Sequence, residues 1–495
     1  MEINTDRFNS DKLQILTTKE KLRLTVPLDN VKQSILCANA SASVNSCRIL
    51  ACDVRAEGEV RVSVIVEGEE FDTLHIEQDF SSTISLERDA TVHAFARVTS
   101  CRVKRQGSSA VVDVELSVKF ICITDISCDV ITSATGIETV KRNLESDVLV
   151  GIFTQDVQVN EDIELNVRMP QIKQCLLVSP SAVVDKVMLT DDSVMLSGDV
   201  ILSVLYSCGD EYEPITQVAD RLPFSAVIPA QGVDPSDTAI ITIQVRDGGV
   251  MPKENQQGES RVLACDLSIT CTACITRKNT IEAVTNAYSI TNMLECTQEQ
   301  MNLSSLSECK KQQSVRVTLE KPEEMPPIAR VCGVNAFTDI TKVHPYNGGV
   351  SVKCRSCFHV VYIVSGSGEM AGFDAVEEYE INIDCPCSTD SSVEVMLENE
   401  LLQAALISGS KCEIRMVFGA ELYISDPSSA NVIKSIEQGQ EREPMRGIFL
   451  YITQPGDDLF TVGKQLGVSI EDILALNPEL DREKLKQGSR ITVMR

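Results

Sequence analysis

The sequence has no tryptophan, four histidines and only 4 % aromatic residues, so its cores cannot be built around stacked rings. Val, Ile, Leu, Cys and Met must fill them, and Val and Ile favour strands. Positive charge is also scarce: 45 Lys and Arg against 72 Asp and Glu leave a formal net charge of −27. Such a surface repels phosphate backbones and anionic headgroups and forfeits the counterion release that drives most nucleic-acid binding. Nucleic acid is therefore a poor partner. No apolar run approaches the roughly 20 residues that span a bilayer. The N-terminal MEINTDRFNSDKLQILTTKE also lacks the apolar core of a secretory signal. The chain is expected to stay in the cytosol, where thiols are kept reduced. Its 19 cysteines, an odd number, are expected to be mostly free and buried. Catalytic arrangements are missing as well: there is no GxSxG elbow, no GxxxxGK[ST] phosphate loop and no HExxH. The expectation is a protein that is not an enzyme and needs no cofactor.

What the chain does have is repetition, over a length that suits several domains. One strand recurs as Gly58-Glu-Val60-Arg-Val62-Ser-Val64-Ile-Val66, Gly198-Asp-Val200-Ile-Leu202-Ser-Val204-Leu-Tyr206 and Ser356-Cys-Phe358-His-Val360-Val-Tyr362. Its period of two is that of a half-buried strand. Upstream of each copy lies another alternating strand, KEKLRLTVPLDNVKQSILC, EDIELNVRMPQIKQCLLV or QSVRVTLEKPEEMPPIARVC. Downstream an aromatic is followed four residues later by Ile: Phe80 and Ile84, Phe224 and Ile228, Tyr379 and Ile383. Each unit closes with a hairpin whose second arm alternates, as in Val112, Val114, Leu116, Val118 and Phe120. Its turn ranges from the short SGSK around Gly409 to RDGGVMPKENQQGES around Gly248 and Gly258. A single hairpin cannot bury a core, so several short strands per unit argue for a sandwich. The expected fold is mainly β: three tandem sandwich-like repeats at 11–130, 154–296 and 313–426, followed by a small βααβ domain at 447–495. The connectors 131–153 and 297–312 read as short and polar with some helical character, and 427–446 reads as a tether.

In the last segment Ile448 to Thr453 is a predicted strand. Asp457 or Asp458 can cap a helix carrying Leu459, Val462 and Leu466 on one face. Ser469 with Asp472 resembles a capping box and opens a second helix with Ile470, Ile473 and Leu474 inside. Asn477-Pro478 ends that helix, and Gln487-Gly488 turns into a last strand with Ile491 and Val493.

The run Tyr451-x-x-x-x-Gly456-Asp457-x-Leu459, a Gly-Val-Ser between helices, Leu476-Asn477-Pro478 and Leu485-x-x-Gly488 resembles the LysM domain. That resemblance implies a shallow groove for N-acetylglucosamine chains of peptidoglycan or chitin. The groove lies between Gly456, Asp457, Asp458 and Leu459 on one side and Leu476, Asn477 and Pro478 on the other. The sequence departs from the family pattern at Asp458, in place of Thr or Ser, at Gly463, in place of a helix Ala, and at Ser489, in place of a frequent Gln. A second carboxylate at the groove lip favours cationic partners over neutral sugar. The upstream units resemble the SPOCS domain of spore-forming bacteria. Three such units followed by one LysM module imply a non-enzymatic scaffold in spore-coat assembly, on the mother-cell side at the forespore surface. Its partner would be the coat's morphogenetic, SpoIVA-like ATPase. The alternative is a peptidoglycan-binding protein that anchors the β-array to cell wall or cortex.

Other candidate sites are weaker. Cys271 with Cys274 and Cys354 with Cys357 have zinc-ligand spacing, but in strands i and i+3 point to opposite faces, so core thiols and no metal site are expected. Cys385-Pro386-Cys387 places both sulfurs on one side, without a third or fourth ligand close in sequence. His75, His93, His344 and His359 are scattered, and His359 takes the outward position of Ser63 and Ser203, which suggests a solvated ring.

Overall fold

The computed structural model describes residues 1–28, 33–50, 53–86, 90–209, 214–443, 447–480 and 485–494. The alternating segments pair as two three-stranded antiparallel sheets per unit. In the first unit Asp53–Glu67 is flanked by Ser34–Leu50 and Phe71–Ser85, and Ser109–Asp125 is flanked by Asp11–Pro27 and Ala90–Gln106. The sheets face each other across Val60, Val62 and Val64 on one side and Val112, Val114, Leu116 and Val118 on the other. The second unit repeats this with Ser193–Cys208 and Ser260–Tyr288 as central strands, and the third with Gly349–Val364 and Lys411–Glu441. Val64, Val204 and Val360 hold the same place in the three central strands, all buried. They lie opposite Ala38 and Leu74, Val178 and Val218, and Val334 and Phe373.

Two further repeated details have a packing cause. A Cβ on Gly58 or Gly198 would lie 2.1 Å from the carbonyl oxygen of Ser43 or Val183. Glycine admits this close backbone approach at a bulge, and Phe80 or Phe224 covers the gap from the neighbouring strand. Tyr206 and Tyr362 donate to Pro170 O and Pro326 O at 3.2 and 3.0 Å, which ties each central strand to the turn before its sheet.

The segments expected to be connectors are strands. Most of 131–153 lies in Cys128–Thr135 and Glu138–Glu164, 297–312 lies in Asn292–Glu320, and 427–441 continues Lys411–Glu441. Residues 444–446 of the expected tether lie outside the described residues. Likewise Thr238–Glu254 runs through Gly248 and Gly249, so the turn of that hairpin is confined to 255–259. The extra strand length forms three two-stranded ribbons: Glu2–Phe8 with Cys128–Thr135, 138–149 with 276–288, and 292–307 with 424–441. The ribbons pack on one another through Phe8, Val130, Leu144, Ala283, Met301 and Val432, then through Ile131, Val284 and Ile433. Each strand contributes only a few buried side chains, so polar outward residues dominate its sequence and hide the period.

The units therefore form a ring and not a string of beads. Leu36, Cys37 and Ile65 of the first meet Leu176, Leu205 and Ile215 of the second and Cys332, Val361 and Met370 of the third in one shared cluster. A second cluster joins Phe95 and Ile121, Ile240 and Cys274, and Met396 and Tyr423. Residues of all three units also line a cavity of about 640 Å³. Among the described residues no helix is long and apolar enough to cross a membrane.

Candidate functional site

The C-terminal module is the only helical part among the described residues. Its strand Ile448–Ile452 pairs antiparallel with Arg490–Met494, and between them lie helices α1 (Leu459–Leu466) and α2 (Ile470–Leu476). Asp458 is the N-cap of α1: its carboxylate accepts the Thr461 amide at 2.6 Å. Gly467 ends α1 at φ 67°, a left-handed conformation that glycine adopts without strain, and its amide returns to Gly463 O at 2.7 Å. Ser469 caps α2 by accepting the Asp472 amide at 3.0 Å and donating to its carboxylate at 2.6 Å. Leu459, Val462, Val468, Ile473, Ile491 and Val493 form the module's core.

The residues assigned to the groove divide into two groups. Leu459 is a core residue, and Asn477 is 2 % exposed. The Asn477 amide nitrogen donates to Ile473 O and Thr492 O, both at 2.7 Å, and its oxygen accepts the Thr492 amide, so it joins α2 to the last strand. Neither side chain is placed to touch a ligand. Gly456 (φ 88°), Asp458, Leu476 and Pro478 are exposed. Asp457 is engaged internally, accepting the Tyr451 hydroxyl at 2.8 Å and the Gln454 amide at 2.7 Å. The two lip carboxylates thus already hold backbone and side-chain donors of their own loop. Among the described residues no hydrogen bond joins 456–458 to 476–478.

Two features of the module escaped the sequence reading. The first is that it is docked. Tyr288, at the end of the second unit's ribbon, donates to Val468 O at 2.8 Å and packs edge-on against Phe460 with ring centroids 5.0 Å apart. Lys464 Nζ reaches Asn286 Oδ1 at 2.6 Å. Gly463 sits beneath this contact: a Cβ there would lie 2.3 Å from the Tyr288 hydroxyl. Glycine in place of the usual helix alanine was the visible signal, and the tyrosine is its physical reason.

The second feature is the open face of the module's sheet. Ile448, Leu450, Ile452 and Met494 are all more than half exposed, and the register puts Ile448 opposite Met494. Alternation places these side chains on the face away from the helices. The sequence signal was Ile448-Phe-Leu-Tyr-Ile452, which is apolar at every position where a half-buried strand should alternate.

Within the ring, Cys271 joins the second sandwich core and Cys274 the cluster between units, so the pair does point to opposite faces. Cys354 lies in the third core, and Cys357 faces the first unit at 3.4 Å from Cys101 O. Burial pushes the Cys354 thiol up to about 12 and the Cys357 thiol up to about 11. His359 corrects an expectation: it is 1 % exposed, with Nδ1 2.6 Å from Asp374 Oδ1 and Phe337 edge-on to its ring. The outward face of a unit is the inner face of the ring, which is why a residue aligned with Ser63 and Ser203 is buried. The cavity's lining is mixed apolar and polar, and several of its charged residues are paired: Arg61 with Glu59 and Glu77, Arg97 with Glu398, and Glu400 with Arg221.

Fold and site together define a β-repeat body of three units carrying one docked βααβ module. Residues 171–251, which run from the second unit's first sheet into Thr238–Glu254, match the family described as SipL, SPOCS domain, and residues 451–493 match the LysM domain. The chain thus combines a SPOCS domain with a C-terminal LysM domain, and the pair fits a sporulation protein with a module of the peptidoglycan-binding kind. Neither a curated protein nor a solved structure matches the chain.

Proposed function

We propose that this protein is a non-enzymatic adaptor of spore-coat assembly, docking on the coat's morphogenetic ATPase through the open sheet face of its LysM module. The observation that carries this reading is the strip Ile448, Leu450, Ile452 and Met494. Contiguous exposed apolar surface is costly in water and suits a protein partner's apolar side chains better than a chain of hydroxylated sugars. The α1 side of the module is already held by Tyr288, so the ring fixes its orientation and adds contact surface of its own. In this role the protein works in the mother cell, at the forespore surface.

A second reading, peptidoglycan binding, draws on the LysM match and on the exposed Gly456, Leu476 and Pro478. The two readings separate in one experiment on the full chain. Leu450→Asp should weaken binding to the purified ATPase at least tenfold and leave retention on insoluble peptidoglycan unchanged. Equal ATPase binding by the native chain and the variant, with tight retention on peptidoglycan, sinks the docking reading in favour of the glycan one.

A further inference from the structure

The Cys385-Pro386-Cys387 run belongs to none of the surfaces above. It follows the strand Met370–Asp384, and the Cys387 amide donates to Cys385 O at 2.9 Å. That i to i+2 bond closes a γ-turn, and the central proline has its φ fixed near the roughly −75° that the inverse form needs. The turn brings the two side chains together: the Cys385 thiol donates to Cys387 Sγ at 3.5 Å. The turn is fastened to the hairpin at 345–349, because Gly348 donates to Cys387 O at 3.0 Å and Cys385 donates to Gly348 O at 3.2 Å. The Cys387 thiol lies 3.0 Å from Gly349 O and 3.5 Å from Tyr346 O. Both sulfurs close the end of the third apolar core.

We propose that Cys385 and Cys387 are a reversible two-electron redox pair, oxidised to an intrachain disulfide by exchange with a low-molecular-weight disulfide. The thiolate of one cysteine attacks a sulfur of RS–SR, forming a mixed disulfide and releasing RS⁻, which takes up the proton. The second thiol then loses its proton and attacks the protein sulfur of that mixed disulfide, expelling the second RSH. The protein gives up two electrons and two protons, and RS–SR becomes two RSH. Pro386 holds the partners in place, so little chain entropy opposes ring closure. Burial pushes the Cys385 thiol up to about 12, so exchange is slow at neutral pH and quickens as pH rises. Oxidation removes the S–H that binds Gly349 O and so loosens the hairpin at 345–349 from the turn.

The pairs Cys271/Cys274 and Cys354/Cys357 cannot bridge from opposite faces of a strand and serve as internal controls. The test incubates the native full chain at pH 8 with graded ratios of oxidised to reduced glutathione. Samples are quenched in denaturant with N-ethylmaleimide, and the peptides are mapped by mass spectrometry. At oxidising ratios the peptide holding Cys385 and Cys387 should be two hydrogens lighter and free of maleimide, reversibly, while Cys271 and Cys274 each carry maleimide. Pro386→Gly should shift the half-oxidation ratio several-fold toward oxidised glutathione, and Cys387→Ser should never yield the lighter peptide. Two maleimides or two glutathiones on the native 385–387 peptide at every ratio would overturn the proposal. A Pro386→Gly titration identical to that of the native chain would overturn it equally.

Discussion

The hydroxyl oxygens of Ser10 and Ser146 lie 2.7 Å apart where the three units meet, and Ser146 also donates to Ser304 O at 3.2 Å and accepts the Ser304 amide at 3.1 Å. One buried contact thus links a serine from each unit. Beside it, Asp11 accepts the Leu149 amide at 2.7 Å and Asp147 accepts the Leu306 amide at 2.5 Å, so each carboxylate serves the next unit's backbone. Ser146→Ala strips the Ser304 amide of its partner in a buried place. A loss of about 1–3 kcal/mol in unfolding free energy is expected from denaturant titration. An unchanged midpoint would mean that the junction does not bear on stability.

Docking of the module predicts a coupling between two residues far apart in sequence. Gly463→Ala favours helix by about 1 kcal/mol in an exposed site, yet here the added methyl collides with the Tyr288 hydroxyl. In the full chain it should lower the midpoint of the module's thermal unfolding, and adding Tyr288→Ala to the same chain should leave that methyl nothing to collide with. A double-mutant cycle with no coupling would count against the docked arrangement.

Asp458 is a cap before it is a surface charge. Asp458→Ala should cost the module about 0.5–2 kcal/mol, whereas Asp458→Asn or Asp458→Ser should be nearly neutral, as read by thermal unfolding of the full chain. A cost for all three alike would point to a role other than accepting the Thr461 amide.

Acid should weaken the ring through His93. Burial, reinforced by the Arg246 guanidinium, lowers its pKa from 6.5 to about 4. Because the folded value lies below the unfolded one, this stabilising contribution is complete above pH 6.5. It is lost as pH falls from there toward 4, by on the order of 2–3 kcal/mol. His93→Gln should flatten that part of the stability profile. A native-like slope in the variant would assign the acid sensitivity elsewhere.

The strands and their buried faces were legible wherever one face of a strand meets a sandwich core, as in Val112 to Phe120. The caps at Asp458 and Ser469 were legible because capping is a local interaction between neighbours in sequence. The ribbons were not: 138–149 buries Leu144 fully but shows a polar majority, because its neighbours are two other ribbons and not a second sheet. His359 failed for a related reason. A period of two says which residues share a face and nothing about what that face meets once three units close on each other. In the candidate site, exposed and buried loop residues looked alike in sequence, and Asn477 read as a helix stop when its side chain also ties two elements together.

Ring closure also dictates when during synthesis the protein is vulnerable. Leu36, Cys37 and Ile65 share their cluster with Leu176, Leu205 and Ile215 and with residues as distant as Val361 and Met370. A ribosome that has released the first unit has therefore made a sandwich whose flank is not fully covered until some three hundred further residues emerge, on the order of tens of seconds at ordinary elongation rates. Through that interval the nascent chain presents an oily edge to its surroundings, and the two later units act as its belated chaperones.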